Sequence, residues 1–311
     1  MIERDVWIRE VGTRDGLQSI ATVFPTDAKL DWIAREAAAG VPEIEVGSFV
    51  PPKLLPQMAD SAEVVAGAKR IAGLHVSALV PNLRGAQNAF AAGVDQVNYV
   101  LSVSEAHSQA NVRKSVAAAI EEFAAIVAWR AEHPQYAHVR VASGLATAFG
   151  CTIAGNIAID AVVTAAERLV ALGADELAVA DTVGYGNPAQ CRALFRAVLE
   201  VAGTVPVGAH FHDTRGLGLA NVDAALDAGV RRFDASLGGL GGCPYAPGAS
   251  GNIVTEDLVF MLEAMGLKTG IDLDLLLDAR TAMETHLDGE PTHGAIVTAG
   301  PPKGFVAASA R

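Results

Sequence analysis

The sequence has little of what marks a secreted, membrane-spanning or nucleic-acid-binding protein. Only three cysteines occur in 311 residues, Cys151, Cys191 and Cys243. They are too few and too scattered for a disulfide framework, which points to a reducing, cytoplasmic setting. Positive charge is scarce: 23 Lys and Arg stand against 35 Asp and Glu, a formal net charge of -12, with no Lys/Arg-rich run. This excludes nucleic acid and an anionic membrane as partners, because both need a basic surface. The longest uncharged stretch, Val141 to Ile159, is broken by Ser143, Gly144, Thr147, Gly150, Thr152, Gly155 and Asn156. That pattern suits a buried strand followed by a polar loop, not a membrane span. The opening Met1-Ile2-Glu3-Arg4-Asp5 runs straight into a strand-like segment, so no signal or transit peptide is expected.

What the chain does have is core material, 51% hydrophobic residues together with 31 glycines, enough for one large α/β domain. Short β-rich runs alternate with longer helical patterns. Candidate strands are Val6–Val11, Glu43–Gly47, Gly73–Leu79, Gln96–Leu101, Val139–Gly144, Glu176–Ala180, Pro206–His212 and Arg231–Ser236. Between them lie helical segments such as Asp27–Ala39, Leu83–Ala92, Val116–His133, Ala158–Leu172, Ala189–Val201 and Leu217–Asp227. Gly40, Gly93, Gly173 and Gly229 sit where a helix C-cap glycine belongs. Strand–helix alternation predicts a parallel sheet with right-handed crossovers, and eight units at this length favour a closed (β/α)8 TIM barrel over an open sheet. A dinucleotide-binding fold also lacks its glycine fingerprint, since Val11-Gly12-Thr13-Arg14-Asp15 follows strand 1. Two more helical runs, Thr255–Met265 and Leu273–His286, close the barrel and add a C-terminal helical segment. Residues 1–288 thus read as one catalytic barrel domain, and 289–311, rich in Gly, Pro, Ala and Thr, as a flexible tail or lid.

Reactive side chains of a TIM barrel come from the C-terminal ends of its strands, and four segments fit. Arg14-Asp15-Gly16-Leu17-Gln18 after strand 1 offers a cation, a carboxylate and an amide around a turn glycine. Taken alone, it could also be a surface ion pair with a turn glycine, the weaker of the two readings. His210-Phe211-His212-Asp213 ends strand 7. A single histidine is more often a satisfied core residue, but side chains at i and i+2 share a face. His210 and His212 therefore converge on the mouth as nitrogen ligands for a divalent metal, with Asp213 as outer support. The third segment, Gly238–Asn252, has six glycines in fifteen residues, which predicts a loop able to close over a substrate. It carries the thiol of Cys243 and ends in Asn252, whose amide could complete an Asp/His/His/Asn metal set; the plain alternative is a flexible surface loop. Fourth, Glu43 and Glu45 share one face of strand 2. Glu45, nearer the catalytic end, is placed to hold Arg14 or substrate, and Asp181 at the end of strand 6 is comparable.

Together these segments resemble the 3-hydroxy-3-methylglutaryl-CoA lyase family, within the metal-dependent lyases and Claisen-type synthases built on TIM barrels. The likeness runs over about residues 5 to 270. It rests on Glu10 to Gln18, Ser48-Phe49-Val50-Pro51-Pro52-Lys53, Pro56-Gln57-Met58-Ala59-Asp60, Pro81-Asn82-Leu83, Asp181-Thr182-Val183-Gly184, His210-Phe211-His212-Asp213-Thr214, the Gly238–Asn252 loop and Thr255-Glu256-Asp257-Leu258. The cysteine loop is the most specific, since it separates the lyases from the related synthases. The resemblance implies an acyl-CoA substrate cleaved by a retro-Claisen reaction. Asp15, His210, His212 and Asn252 would bind Mg2+ or Mn2+. Arg14 would stabilise the developing oxyanion, Asp15 or His210 would accept the hydroxyl proton, and Cys243 would act in proton transfer. Glu45 and Gln18 would arrange the site, and Ser48, Lys53, Asn82 and Asp181 would lie near substrate. A homodimer is the commonest oligomer for such a chain.

Three places depart from the family pattern: Ser19-Ile20 after Gln18, Cys151-Thr152-Ile153-Ala154-Gly155 after strand 5, and Arg215-Gly216 after Thr214. All flank the predicted mouth and leave the metal and thiol positions intact. The resemblance implies 3-hydroxy-3-methylglutaryl-CoA as substrate, with acetyl-CoA and acetoacetate as products. The departures are either neutral loop changes or mark a different acyl group, citramalyl-CoA or another 3-alkyl-3-hydroxyglutaryl-CoA, with Arg215 pairing with its carboxylate. Competing readings are a Claisen synthase or aldolase, which the cysteine loop argues against, and a non-enzymatic barrel, which retention of the whole reactive set argues against.

Overall fold

The computed structural model describes residues 3–241 and 251–310. Its strands are β1 (Trp7–Glu10), β2 (Glu43–Ser48), β3 (His75–Val80), β4 (Gln96–Ser102), β5 (Arg140–Ala146), β6 (Glu176–Asp181), β7 (Val207–Phe211) and β8 (Arg232–Ala235). All neighbours are parallel and follow chain order, and β8 returns to β1 to close the barrel. The expected (β/α)8 TIM barrel with its extra C-terminal helices is therefore borne out. The shell is formed by α1 (Thr26–Ala38), α2 (Ser61–Ala68), α3 (Leu83–Ala92), α4 (Glu105–Val112), α5 (Val116–Ala131), α6 (Ile159–Ala171), α7 (Pro188–Ala202) and α8 (Gly218–Ala228), followed by α9 (Thr255–Ala264), α10 (Leu273–Glu284) and the single turn α11 (Ile296–Ala299).

The main core lies between strands and helices, where outward-facing Val, Ile and Leu meet the buried helix faces. Helix starts follow their caps: the side chains of Asn82, Ser104, Ser115, Asn187 and Asp272 each accept a first-turn N–H. Two short helices, α2 and α4, lack a long apolar period and are not legible as helices in the sequence. No helix among the described residues is long and apolar enough to cross a membrane.

The inside of the barrel floor is ionic, where aliphatic side chains are the rule in this fold. Arg9 pairs with Glu43, Glu176 and Asp234; Arg232 pairs with Glu43 and Glu176. Buried charges persist only when paired and hydrogen-bonded in this way. The cluster supports the mouth from beneath.

The tail expected to be loose makes defined contacts. His293 N–H donates to the Gly238 carbonyl (2.8 Å), Ala295 and Ile296 N–H groups donate to Asp257, and Ser309 N–H donates to Glu263 (2.7 Å). The carboxylates of α9 give this polar segment its acceptors.

One buried carboxylate near the mouth has a consequence for stability. Glu10 accepts from Gly12 N–H (2.7 Å), Leu237 N–H (2.9 Å) and the Thr255 hydroxyl (2.6 Å), tying the ends of β1 and β8 to α9. Burial nevertheless pushes its carboxyl up from 4.5 to about 7. Glu36 in α1 is raised in the same direction by burial and by Glu10. The folded chain thus holds protons that the unfolded chain releases at lower pH, so stability falls as pH rises through the window from 4.5 to about 7. The Glu10 share is up to about 3 kcal/mol. Urea unfolding of the metal-free protein at pH 5 and pH 8 should show a clearly smaller drop for Glu10→Gln than for wild type. Equal drops would remove Glu10 as a source.

Candidate active site and metal centre

The site is assembled at the C-terminal mouth by a local irregularity. After β1 the chain makes a π-helical turn over Gly12–Gly16, in which the Val11 carbonyl accepts from the N–H groups of Arg14 (3.1 Å), Asp15 (2.7 Å) and Gly16 (3.3 Å). Such turns concentrate at functional sites, and this one turns Arg14 and Asp15 into the barrel, 8% and 7% exposed. Arg14 forms an ion pair through Nε with Glu45 of β2 and donates through Nη1 to Asp15 Oδ1 (2.6 Å). Glu45 is itself fixed by Asn98 Nδ2 of β4 (2.7 Å), and Gln18 Nε2 donates to Asp15 Oδ1 (2.8 Å). Every polar contact of this corner is therefore charge-assisted and geometrically constrained.

On the opposite side of Asp15 stand the two histidines of the β7 end. Asp15 Oδ2 lies 3.8 Å from His210 Nε2 and 3.6 Å from His212 Nε2, and the two Nε2 atoms are 3.2 Å apart. Asp15, His210 and His212 are the one group of three such donors close enough to share an ion among the described residues, their ligand atoms within 4.8 Å of one another. Asn252 completes the ring. The chain beyond the cysteine loop returns against β7, His212 bridging to Asn252, with Asp213 N–H donating to Gly251 O (2.9 Å) and Ile253 N–H to Phe211 O (3.1 Å). Asn252 Nδ2 donates to Asp15 Oδ2 (2.8 Å) and Leu240 O (3.0 Å), while its carbonyl oxygen Oδ1 is buried without a partner.

These residues fit a divalent cation. Two imidazole nitrogens facing each other need a proton or a metal between them, and a buried orphan amide oxygen beside a carboxylate suits a hard ion. Burial alone would raise the Asp15 carboxyl, but Arg14 and the two imidazoles hold it well below the usual carboxylate range. It is thus ionised and ready to ligate. Burial would lower His210, yet its hydrogen bond from Nδ1 to Asp234 (3.2 Å) and the charge of Asp234 leave it raised.

Glycine is required where the returning chain passes closest. At Gly241 (φ 114) a Cβ would meet Asn252 Nδ2 at 2.4 Å, and at Gly251 (φ 93) a Cβ would meet the Gly241 carbonyl oxygen at 2.1 Å. Gly241→Ala should therefore displace the Asn252 amide and weaken Mn2+ binding on the order of 10-fold or more. A binding isotherm matching wild type would show that Asn252 is not held by this contact.

The other half of the mouth is small and apolar. Val100 of β4, Gly144 of β5 and Ala178 of β6 are register partners in a row across three strands, and Ala180 is paired beside His210. They point inward by alternation with Asn98, Arg140 and Glu176. Val100 is 38% exposed although it lies within a barrel strand.

Other residues read from the sequence sit elsewhere. Ser48 and Asn82 line a cavity of about 650 Å3 beside the β2 and β3 ends, with Phe49, Pro52 and Asn88. Asn82 also caps α3 through Gly85 N–H (2.9 Å). Lys53 is not among the lining residues of that cavity. Asp181 was expected near substrate, but both its oxygens accept backbone N–H groups, from Tyr185 and Gly186 at 2.8 Å each. Its carboxylate organises the β6 loop. Asp213, expected behind the metal, accepts from Gly218 N–H (2.7 Å) at the start of α8. Arg215 is exposed; it donates to the carbonyls of Val183 and Gly184 (3.0 Å each) and lies over the Tyr185 ring. It braces that loop and lines a separate groove with Asn156 and Gln190. Cys243 lies outside the described residues. Sequence reasoning missed Asn98 and Asp234; both lie on strand positions of inward parity, Asn98 two residues after Gln96 and Asp234 two after Arg232.

The barrel mouth gathers an Asp, two His and an Asn beside a buried Arg–Glu pair, a donor set that fits a divalent cation. The chain belongs to the HMGL-like family, whose model matches residues 5–283. It is 40% identical over 288 residues, 93% of this chain and 95% of the relative, to the hydroxymethylglutaryl-CoA lyase YngG of Bacillus subtilis. It is 41% identical over 89% of its length to the mitochondrial hydroxymethylglutaryl-CoA lyase of Gallus gallus, covering 91% of that protein. In three dimensions it is similar to an HMG-CoA lyase from Acinetobacter baumannii solved with coenzyme A and 3-methylmalate, with TM-score 0.90, 41% identity and 97% of each chain covered.

Proposed function

We propose that this chain is a carbon–carbon lyase that cleaves 3-hydroxy-3-methylglutaryl-CoA to acetyl-CoA and acetoacetate. The observation that carries the reading is the convergence of Asp15, His210, His212 and Asn252 beside Arg14, in a chain similar over nearly its whole length to proteins named as such lyases. A divalent cation in that cradle, Mg2+ or Mn2+, would lower the pKa of the substrate's tertiary hydroxyl and hold it in place.

The protein's own groups do the rest. Asp15, whose Oδ2 faces the cradle, is the base that takes the hydroxyl proton, the Nε2 lone pair of His210 being held for the cation. The resulting alkoxide collapses to a ketone, the adjacent C–C bond breaks, and its electron pair leaves on the thioester as an enolate. Arg14, oriented by Glu45 and Asp15, meets the negative charge on oxygen with the donors left over from those pairs. Cys243, assigned from the sequence pattern, gives the enolate carbon the proton that makes the acetyl methyl group. A reducing, cytoplasmic setting is part of the proposal; Cys151 and Cys191 are both free and buried.

Incubation with hydroxymethylglutaryl-CoA should release acetyl-CoA and acetoacetate in equal amounts, and Cys243→Ala should slow this on the order of 100-fold or more. A folded, metal-loaded protein that releases neither product would overturn the substrate. The apolar wall from Val100 to Ala180 favours a second reading, in which the C3 substituent is larger than methyl. A higher kcat/KM for the 3-ethyl than for the 3-methyl thioester would select it.

A further inference from the structure

We infer that Asp234 is a positioning residue for the reaction: it fixes the His210 ring with a proton on Nδ1, so that Nε2 presents its lone pair to the cation. This rests on the reading that Asp15, His210, His212 and Asn252 hold that cation.

Asp234 lies in β8, in register with His210 of β7. Its two oxygens are divided between two tasks. Oδ2 accepts from His210 Nδ1 (3.2 Å), and Oδ1 accepts from Arg9 Nη1 (3.3 Å). Arg9 is clamped in turn by Glu43 and Glu176. The carboxylate therefore cannot swing away from the ring without breaking an ion pair in the floor. Asp234 is 9% exposed and Arg9 5%, so water does not compete effectively for these contacts. An ionised carboxylate only accepts, so the neutral ring it faces must carry its proton on Nδ1. Nε2 is then the unprotonated nitrogen, and it is the atom turned toward Asp15 Oδ2 and His212 Nε2.

The neighbouring ligand shows the contrast. His212 Nδ1 is buried with no hydrogen-bond partner, so no carboxylate holds that ring from behind. The two histidines are equivalent in the sequence motif, but only His210 has a charged partner anchored to the barrel floor. A carboxylate behind a metal-bound imidazole both orients it and raises its basicity, and its loss costs 10- to 100-fold in metal affinity. The charged floor thereby reaches the chemistry through one residue.

Asp234→Asn keeps the shape and leaves an oxygen for Arg9, but its amide also fits the other tautomer of His210. Mn2+ affinity, followed by electron paramagnetic resonance without substrate, should fall on the order of 10- to 100-fold. Arg9→Lys perturbs the floor without touching His210. It should lower the urea midpoint and leave Mn2+ affinity within about threefold of wild type, less than the loss expected for an outer-shell carboxylate. A second reading needs no variant: in 15N-histidine-labelled, Mg2+-loaded wild type, the His210 ring, assigned by His210→Gln, should be protonated on Nδ1 and not on Nε2. The inference is overturned by an Asp234→Asn protein that binds Mn2+ as wild type does. It is equally overturned by a His210 ring protonated on Nε2, or by wild type that binds no divalent ion. None of these readouts uses hydroxymethylglutaryl-CoA. A wrong substrate would thus appear as intact Mn2+ binding without product.

Discussion

Asp15→Ala is expected to abolish tight divalent-metal binding and to lower the rate of thioester cleavage by roughly 10³-fold or more, several kcal/mol of lost stabilisation. Asp15 is the centre of the site. One of its oxygens accepts from Arg14 and Gln18, and the other faces His210, His212 and Asn252. Its removal takes away the negative charge that makes the cradle attractive to a cation and leaves two imidazoles opposed. Folding should survive, because Arg14 retains Glu45. Calorimetric titration with Mn2+ and steady-state rates check this together. A variant with intact metal binding would place the ion elsewhere.

Arg14→Lys should lower kcat on the order of 10²- to 10³-fold with metal affinity far less affected. The guanidinium reaches Glu45 through Nε and Asp15 through Nη1 at the same time, a geometry that fixes its remaining donors. A lysine is a point charge on a flexible stem and can satisfy one carboxylate but not both orientations. The expected signature is a fall in kcat with a small change in KM, because the lost contact is made to charge that develops during the reaction. A rise in KM alone would mean that Arg14 serves binding and not the chemical step.

Much of this arrangement was legible in the sequence. The strand ends carry the reactive side chains in a closed parallel barrel, so locating β1, β2 and β7 also located Arg14, Asp15, Glu45, His210 and His212. The i, i+2 spacing of the histidines placed both Nε2 atoms on one side, as found at 3.2 Å. What could not be read is how carboxylates spend their oxygens. Asp181 looks like a mouth residue by position, but the turn that follows it offers the N–H groups of Tyr185 and Gly186, and only the folded loop shows that. Asp213 is similar, captured by Gly218 N–H. The ionic floor was hidden for another reason. The pattern Arg232-Phe233-Asp234 marks one face of the strand as charged but does not show which partners would neutralise it. In this barrel the charged side faces inward and is neutralised by Arg9, Glu43 and Glu176 from other strands. The π-helical turn at Gly12 is likewise set by three N–H groups converging on Val11 O, not by any local propensity.

The most direct test of the account is acetyl-CoA release from hydroxymethylglutaryl-CoA by protein stripped with EDTA and then titrated with Mg2+ or Mn2+. The account predicts negligible release by the stripped protein and recovery that saturates at one ion per chain. Release that is undiminished after stripping, with metal analysis confirming the loss of divalent ions, would contradict it.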